Sequence, residues 1–263
     1  VKRIDSRANA EFKALRRLIE SSRERKKAGC SMLDGVNLVT AYRRHAGLPE
    51  RIVVSRSGLD NPEIRALLDA MPAVETVVLG DGLFRELSSV TSPTGILAVV
   101  KTPSVTGPLP RGGACVMLEG LQDPGNLGSI LRSCAASGVE HVLLSTDTVH
   151  AWSPRALRAG MGAHFALRIH EGVNLVAAAR DFEGVRVATR PGAPRSLFDL
   201  DLTGDIAFLF GNEGGGLSRD LLATADRVVG IPMPGAAESI NVAAAAAVCV
   251  FERVRQTGAK SRA

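Results

Sequence analysis

Residues able to do chemistry gather at three junctions in the second half of the sequence. These are Asp123-Pro124-Gly125-Asn126-Leu127-Gly128-Ser129-Ile130-Leu131-Arg132, Gly211-Asn212-Glu213-Gly214-Gly215-Gly216, and Ile231-Pro232-Met233-Pro234-Gly235 followed by Ser239-Ile240-Asn241. The first sets an amide, Asn126, and a guanidinium, Arg132, six positions apart. The second is dense in glycine, which carries no Cβ and tolerates left-handed dihedrals, so its backbone can approach a ligand closely. In the third, two prolines remove backbone donors and fix φ, which suits a rigid apolar wall lined by Met233, of a kind that accepts an adenine ring. Two glycine-dense loops, each after a hydrophobic strand, imply one small-molecule pocket. Ser239 is expected to cap the helix that follows, with Asn241 inside its first turn and its amide turned into the site. Asn126 reads equally well as a helix N-cap.

Two familiar chemistries lose their support. A G-x-G-x-x-G dinucleotide fingerprint would need glycine at 213 or 219, where Glu213 and Arg219 stand, and no G-x-x-x-x-G-K-[ST] occurs. A nicotinamide oxidoreductase is therefore disfavoured. His141, His150, His164 and His170 show no metal spacing, so no metal is expected.

The elements that must hold these loops fall into two regions. A Pro- and Gly-rich stretch at 102–113 can continue neither a helix nor a central strand, and divides a front domain (1–103) from a back domain (114–263) through a linker at 104–113. In the front, a helix near 9–27 precedes apolar segments at 36–42, 52–54, 63–70, 74–79, 83–87 and 96–100, an alternation that predicts a small α/β domain, with Asp81 capping the helix before Leu83 and Phe84. In the back, near-continuous apolar strands at 115–118, 141–144, 185–188, 206–210 and 227–231 alternate with helices at 126–137, 154–160, 173–181, 218–224 and 239–256. That pattern predicts a parallel sheet covered on both faces, with ligands outside the carboxyl ends of the strands.

Composition bounds the reading further. The chain has 263 residues, 45% of them hydrophobic, enough for a sizeable core. Its longest apolar run, Val242 to Phe251, is ten residues, too short to span a bilayer, and the charged first thirty residues lack a secretory core, so a cytoplasmic protein is expected. Cys30, Cys115, Cys134 and Cys249 are widely spaced and read as reduced, mostly buried thiols. Net charge is +5, yet residues 1–27 alone carry +6. Concentrated positive charge binds polyanions by releasing condensed counterions, so a nucleic acid is the expected partner, through Arg16, Arg17, Arg23, Arg25, Lys26 and Lys27. The alternative is a solvated helix face.

Asn126-x-Gly128-x-x-x-Arg132, Phe210-Gly211-Asn212-Glu213-Gly214-x-Gly216-Leu217-Ser218 and Ile231-Pro232-Met233-x-Gly235-x-x-x-Ser239-x-Asn241-Val242 resemble the three signature motifs of the SpoU/TrmH RNA ribose methyltransferases, in the SPOUT superfamily. The resemblance covers 114–257. The front half is similar to the L30e-like substrate-binding domain often attached to these enzymes, on the basic helix, Met32-Leu33-Asp34-Gly35 and Leu87 to Val100, although Asp34 stands where glutamate is more usual. The resemblance implies an α/β protein with a deep trefoil knot in its parallel-sheet domain, S-adenosylmethionine as cofactor, a homodimer, and methyl transfer to a ribose 2′-hydroxyl of RNA. Ribosomal RNA, 23S in particular, is the implied substrate, with transfer RNA or a non-catalytic RNA-binding role as alternatives. By the same resemblance Asn126, Arg132, Glu213, Ser239 and Asn241 surround the reacting groups. Gly211, Asn212, Glu213, Gly216, Ile231, Met233, Ser239 and Asn241 hold the cofactor, and Arg158, in Arg158-Ala159-Gly160-Met161-Gly162-Ala163, touches RNA. Family proposals make the matching arginine activate the hydroxyl. An arginine essentially never deprotonates in proteins, so Arg132 is expected instead to orient ribose and phosphate and to stabilise the developing alkoxide.

Overall fold

The computed structural model describes residues 2–258, in two compact units. The short basic C-terminal stretch, with Lys260 and Arg262, lies outside the described residues. The front unit runs to Pro103 and also includes Trp152–Phe165. Its elements are β1 (Lys2–Ile4), α1 (Ala10–Glu20), α2 (Ser22–Ala28), β2 (Cys30–Asp34), α3 (Val36–His45), β3 (Arg51–Ser55), α4 (Pro62–Asp69), β4 (Glu75–Leu79), α5 (Asp81–Leu87) and β5 (Ile96–Lys101). The strands form one sheet in the order β1-β4-β3-β5-β2, in which β5 runs antiparallel to both neighbours. Alternate residues of these β-branched strands, Val53, Val77, Leu97 and Val99, bury against Phe12 and Leu15 of α1 and Phe84 of α5.

The expected helix near 9–27 is two helices. Ser21 adopts an extended conformation and its hydroxyl accepts the Glu24 amide at 3.2 Å, which ends α1 and caps α2. The break turns Arg25 inward. It is 4% exposed, and its guanidinium donates to the carbonyls of Leu18 and Ile19 at 2.7 and 2.8 Å. Arg25 thus satisfies the carbonyls left open at the end of α1 and, unlike the cations expected to face RNA, is not exposed. Asp81 is not an N-cap either: α5 begins on it, and Gly80 holds the cap position. The Asp81 carboxylate instead accepts the amide and hydroxyl of Ser57, each at 2.9 Å, and these bonds hold its pKa below the usual aspartate range.

The back unit comprises, among the described residues, 104–151 and 166–258. It opens with β6 (Ala114–Leu118), α6 (Pro124–Ser137) and β7 (His141–Leu144). The next helix, α7 (Pro154–Gly160), belongs to the front unit although the sequence reading assigns it to the back domain. The reason is aromatic packing: the Phe165 ring meets Tyr42 of α3 edge-on at 5.3 Å, and Trp152 packs against Phe165 and His164. The chain then continues through β8 (Arg168–His170), α8 (Leu175–Asp181), β9 (Val185–Thr189), β10 (Ile206–Phe210), α9 (Arg219–Leu222), β11 (Arg227–Val229) and α10 (Val242–Thr257). All strand pairs in the sheet β11-β9-β10-β6-β7-β8 are parallel, as the apolar strands predict. The short edge strand β8 has no counterpart in the sequence reading. Cys115, Cys134 and Cys249 are buried and Cys30 is half-buried, all as free thiols. Among the described residues no helix is long and apolar enough to cross a membrane.

Replacing Arg25 with methionine keeps most of the apolar stem and removes both hydrogen bonds. Urea denaturation is expected to show a loss of about 1.5–3 kcal/mol, the range for bonds made by a charged group, with the salt dependence of nucleic-acid binding unchanged. A variant of full stability with a weakened salt dependence would return Arg25 to the binding surface.

Candidate functional site

The loops singled out in the sequence follow β6, β10 and β11, three strands of one parallel sheet, so all leave from its carboxyl edge. A line of hydrogen bonds joins them. Asn126, near the start of α6, donates its amide to Glu213 Oε1 at 3.0 Å, and its Oδ1 accepts the Asn241 amide at 2.9 Å. Asn241 Oδ1 in turn accepts the Ala243 backbone amide at 2.8 Å. Asn241, not Ser239, is therefore the N-cap of α10, which starts three residues later than Ser239. Asn126 is likewise no cap: Asp123 fills that role for α6 by accepting the Gly125 and Asn126 amides at 2.6 and 2.9 Å. With the cap supplied from outside, the Asn126 side chain is left to bridge the other two loops.

Burial pushes the Glu213 carboxyl up, but the Asn126 amide and the backbone amides of Glu213, Gln122 and Asp123 outweigh it and hold its pKa below the usual glutamate range. An ionised Glu213 only accepts, so it fixes which face of the Asn126 amide each neighbour meets.

The glycine loop is braced from within and from below. Asn212 and Gly216 exchange backbone hydrogen bonds at 3.0 and 2.9 Å, closing a tight hairpin with Gly216 at φ +67°. A Cβ on Gly211 would collide with the backbone of Gly216 and Leu217, so only glycine admits this closure. Asn212 accepts the Gly214 and Gly215 amides and donates to the Gly120 carbonyl at 2.7 Å. Beyond the hairpin, the Glu119 carboxylate takes the Ser218 amide and hydroxyl, each at 2.7 Å. Both ties fix the loop after β10 to the loop after β6.

The loops after β10 and β11 and the start of α10 line a cavity of about 620 Å³, of which Asn126 and the loop after β6 form no part; that volume is within the range of about 300–1,000 Å³ usual for small-molecule sites. Gly211, Asn212, Glu213, Gly216, Ile231, Met233, Ser239 and Asn241 all line it. Leu217, Leu222, Ile231 and Met233 supply apolar wall, while Glu213 and Glu238 supply negative charge against the single cation Arg190. This donor set fits a ligand that joins an aromatic base to a positively charged centre, as S-adenosylmethionine does. Thr189, Arg190 and Pro191 also line the cavity, from the loop after β9. The sequence reading passed over them, although the Pro191-Gly192 turn at the end of an apolar strand was the available signal.

Arg132 is not among the lining residues. It stands exposed on α6, and its side chain has no ion-pair or hydrogen-bond partner among the described residues, which disfavours a surface salt bridge as its role. Of the basic residues expected to face RNA, Arg17, Arg23, Lys26 and Lys27 are exposed, while Arg16 pairs with Glu20 at 2.7 Å. Arg158, exposed on α7, donates to the Ser89 carbonyl at 2.9 Å within the front unit. His141 and His170 lie 3.1 Å apart through ring nitrogens, and burial lowers the pKa of each; the described residues include no cluster of three or more metal-ligating side chains.

Residues 113–251 match the sequence profile of the SpoU rRNA Methylase family. Over 98% of its length the chain is 33% identical to a Synechocystis sp. protein named uncharacterized tRNA/rRNA methyltransferase slr1673, of which 95% is covered. It is 30% identical to the 23S rRNA (guanosine(2553)-2′-O)-methyltransferase RlmP of Bacillus subtilis, over 95% of this chain and 98% of that one. Among solved structures, the SpoU methyltransferase AviRb from Streptomyces viridochromogenes in complex with AdoMet superposes with a TM-score of 0.85 at 28% identity, covering 95% of this chain and 99% of that one.

The hydrogen-bonded line makes a pH-dependent contribution. Because the folded pKa of Glu213 is depressed, the stability it contributes is complete above the ordinary glutamate value of about 4.3 and is lost as pH falls through the lower folded value. Urea titrations of wild type and Glu213→Gln should differ most at neutral pH and converge below about pH 4. A difference that stays constant across that window would contradict the assignment.

Proposed function

This chain belongs to the SpoU rRNA Methylase family and is an S-adenosylmethionine-dependent RNA 2′-O-ribose methyltransferase, and on that premise we propose that its substrate is 23S ribosomal RNA, held by the front unit while the back unit performs the transfer. The observation that carries this reading is the joining by Asn126 of Glu213 and Asn241, two residues that line a cavity whose makeup fits the cofactor. The name of the Bacillus relative, which specifies a guanosine 2′-oxygen of 23S RNA, supports the choice of RNA. The Synechocystis relative's name also admits transfer RNA, which is the competing outcome.

When bound, S-adenosylmethionine supplies a methyl carbon activated by a neighbouring sulfonium. Gly211 and Gly216 shape a hairpin that would hold it, Ile231 and Met233 would offer an apolar wall to its base, and Glu213 and Glu238 would complement its positive charge. Asn126 and Asn241 present oriented amides beside Glu213, which position an incoming ribose and limit its freedom. Arg132 offers an uncommitted guanidinium that binds the phosphate next to the reacting ribose and stabilises negative charge developing on the 2′-oxygen. We further propose that the chain is a cytoplasmic homodimer with a trefoil knot in its back unit. Phe251 of α10 and Ile240, 46% and 38% exposed, are apolar side chains that a second copy would cover.

Arg132→Ala is expected to reduce methylation of 23S RNA by at least about 100-fold, the loss typical of removing a transition-state donor, while calorimetry shows unchanged S-adenosylmethionine affinity. Gly211→Ala should do the reverse first, abolishing cofactor binding because the hairpin can no longer close. Near-wild-type turnover by Arg132→Ala would refute the role given to it, and wild-type methylation confined to transfer RNA would refute the substrate.

A further inference from the structure

The cations at the two edges of the front unit's sheet differ in their pairing. Along the β1-β4-β3 side most are neutralised, Arg3 excepted: Lys2 pairs with Glu11 at 2.6 Å, Arg7 with Glu86 at 2.5 Å, Arg51 with Glu75 at 2.9 Å and Arg56 with Asp5 at 2.9 Å. At the opposite edge of the sheet they are not. Lys26 and Lys27 in the last turn of α2, Arg43 and Arg44 in the last turn of α3, and Lys101 at the end of β5 are all exposed, and none has an ion-pair or hydrogen-bond partner among the described residues.

Topology brings these three elements together. The turn after α2 is tied to the end of β5 by the Thr102 amide donating to the Gly29 carbonyl at 2.8 Å, and Cys30 stands opposite Lys101 in the antiparallel ladder. α3 leaves the far end of β2 and returns beside it. The loop that follows delivers Glu50 to the same corner, where its amide donates to the Val99 carbonyl at 2.9 Å and its carboxylate accepts the Cys30 thiol at 3.3 Å. Glu50 is the acid at this corner, against five cations.

Basic residues in a last helical turn complement the negative end of the helix dipole, which accounts for some of the charge on α2 and α3. It does not account for Lys101, which ends a strand, nor for the concentration of unpaired charge at one corner. Leu48 is exposed beside Arg43 and Arg44, but a single apolar side chain does not make the core of a protein interface. Unpaired, flexible cations on several elements match a strand of phosphates instead.

We propose that this corner of the front unit, where β2 begins, is a phosphate-binding surface for the substrate RNA, with Arg43, Arg44 and Lys101 extending the cationic turn of α2. The proposal rests on the ribosomal RNA reading above and adds to it the face that the RNA backbone follows. Contacts of this kind position the substrate without reading its sequence.

The test is filter binding of deproteinised 23S ribosomal RNA to the full chain across a salt titration. Arg43→Gln/Arg44→Gln/Lys101→Gln should weaken binding at least ~10-fold and reduce the slope of log K against log salt by about 2–3, since each lost phosphate contact removes about 0.7–0.9. The melting temperature and S-adenosylmethionine affinity should remain at wild-type values. The control, Arg7→Gln/Arg56→Gln, should leave the slope unchanged. If the triple variant is destabilised, Arg44→Gln and Lys101→Gln singly should each lower the slope by about one contact's worth. Unaltered RNA binding by the triple variant, with wild type binding well, would overturn the surface alone. Wild-type protein with no affinity for ribosomal RNA would overturn the surface and the substrate assignment together.

Discussion

The site depends on one carboxylate that stays ionised. Glu213 accepts the Asn126 amide, and this polarises a line of side chains that runs to the cap of α10. Asparagine alone could present either face of its amide; beside a group that can only accept, it presents its NH₂ and must offer its oxygen to Asn241. A single charge thereby orders three loops whose sequence positions are 87 and 115 residues apart.

Much of the back unit serves to bring those loops within reach. Parallel strands β6, β10 and β11 launch them from the same edge of the sheet. α10 packs closely on α6, where Gly128 and Ala246 are buried and small enough to let the two helices approach. The approach sets Asn241, at the start of α10, beside Asn126 on α6. Asp123 contributes indirectly: by capping α6 it relieves Asn126 of that duty. Glu119 and Asn212 then hold the glycine loop against the β6 loop, so the cavity wall does not rely on the ligand for its shape.

Much of this was legible in the residues themselves. Apolar runs located the parallel strands, most of them to within a residue or two, and glycine density with the two prolines located the cavity. What escaped were matters of competition between similar groups. Ser239, Asn241, Asn126 and Asp123 are all good helix caps, and only the three-dimensional path decides which amide each one meets. The Asp81 carboxylate is taken up by Ser57, 24 residues away, and the cap position falls to Gly80. Arg25 looked like its exposed neighbours because the break at Ser21, which turns it inward, leaves no hydrophobic signature. The placement of Trp152–Phe165 in the front unit follows from ring packing with Tyr42, a contact across more than a hundred residues that periodicity does not encode.

The central claim is that the cavity and its line of amides direct a methyl group to a ribose oxygen. Labelled methyl transferred from S-adenosylmethionine to 23S RNA, followed by alkaline hydrolysis and mass spectrometry, reads the acceptor atom directly. A 2′-O-methyl blocks cleavage at the adjacent phosphate, so the label should appear in an alkali-resistant dinucleotide. Label recovered on a free base or in mononucleotides, or no transfer to RNA by a protein that binds the cofactor, would contradict it.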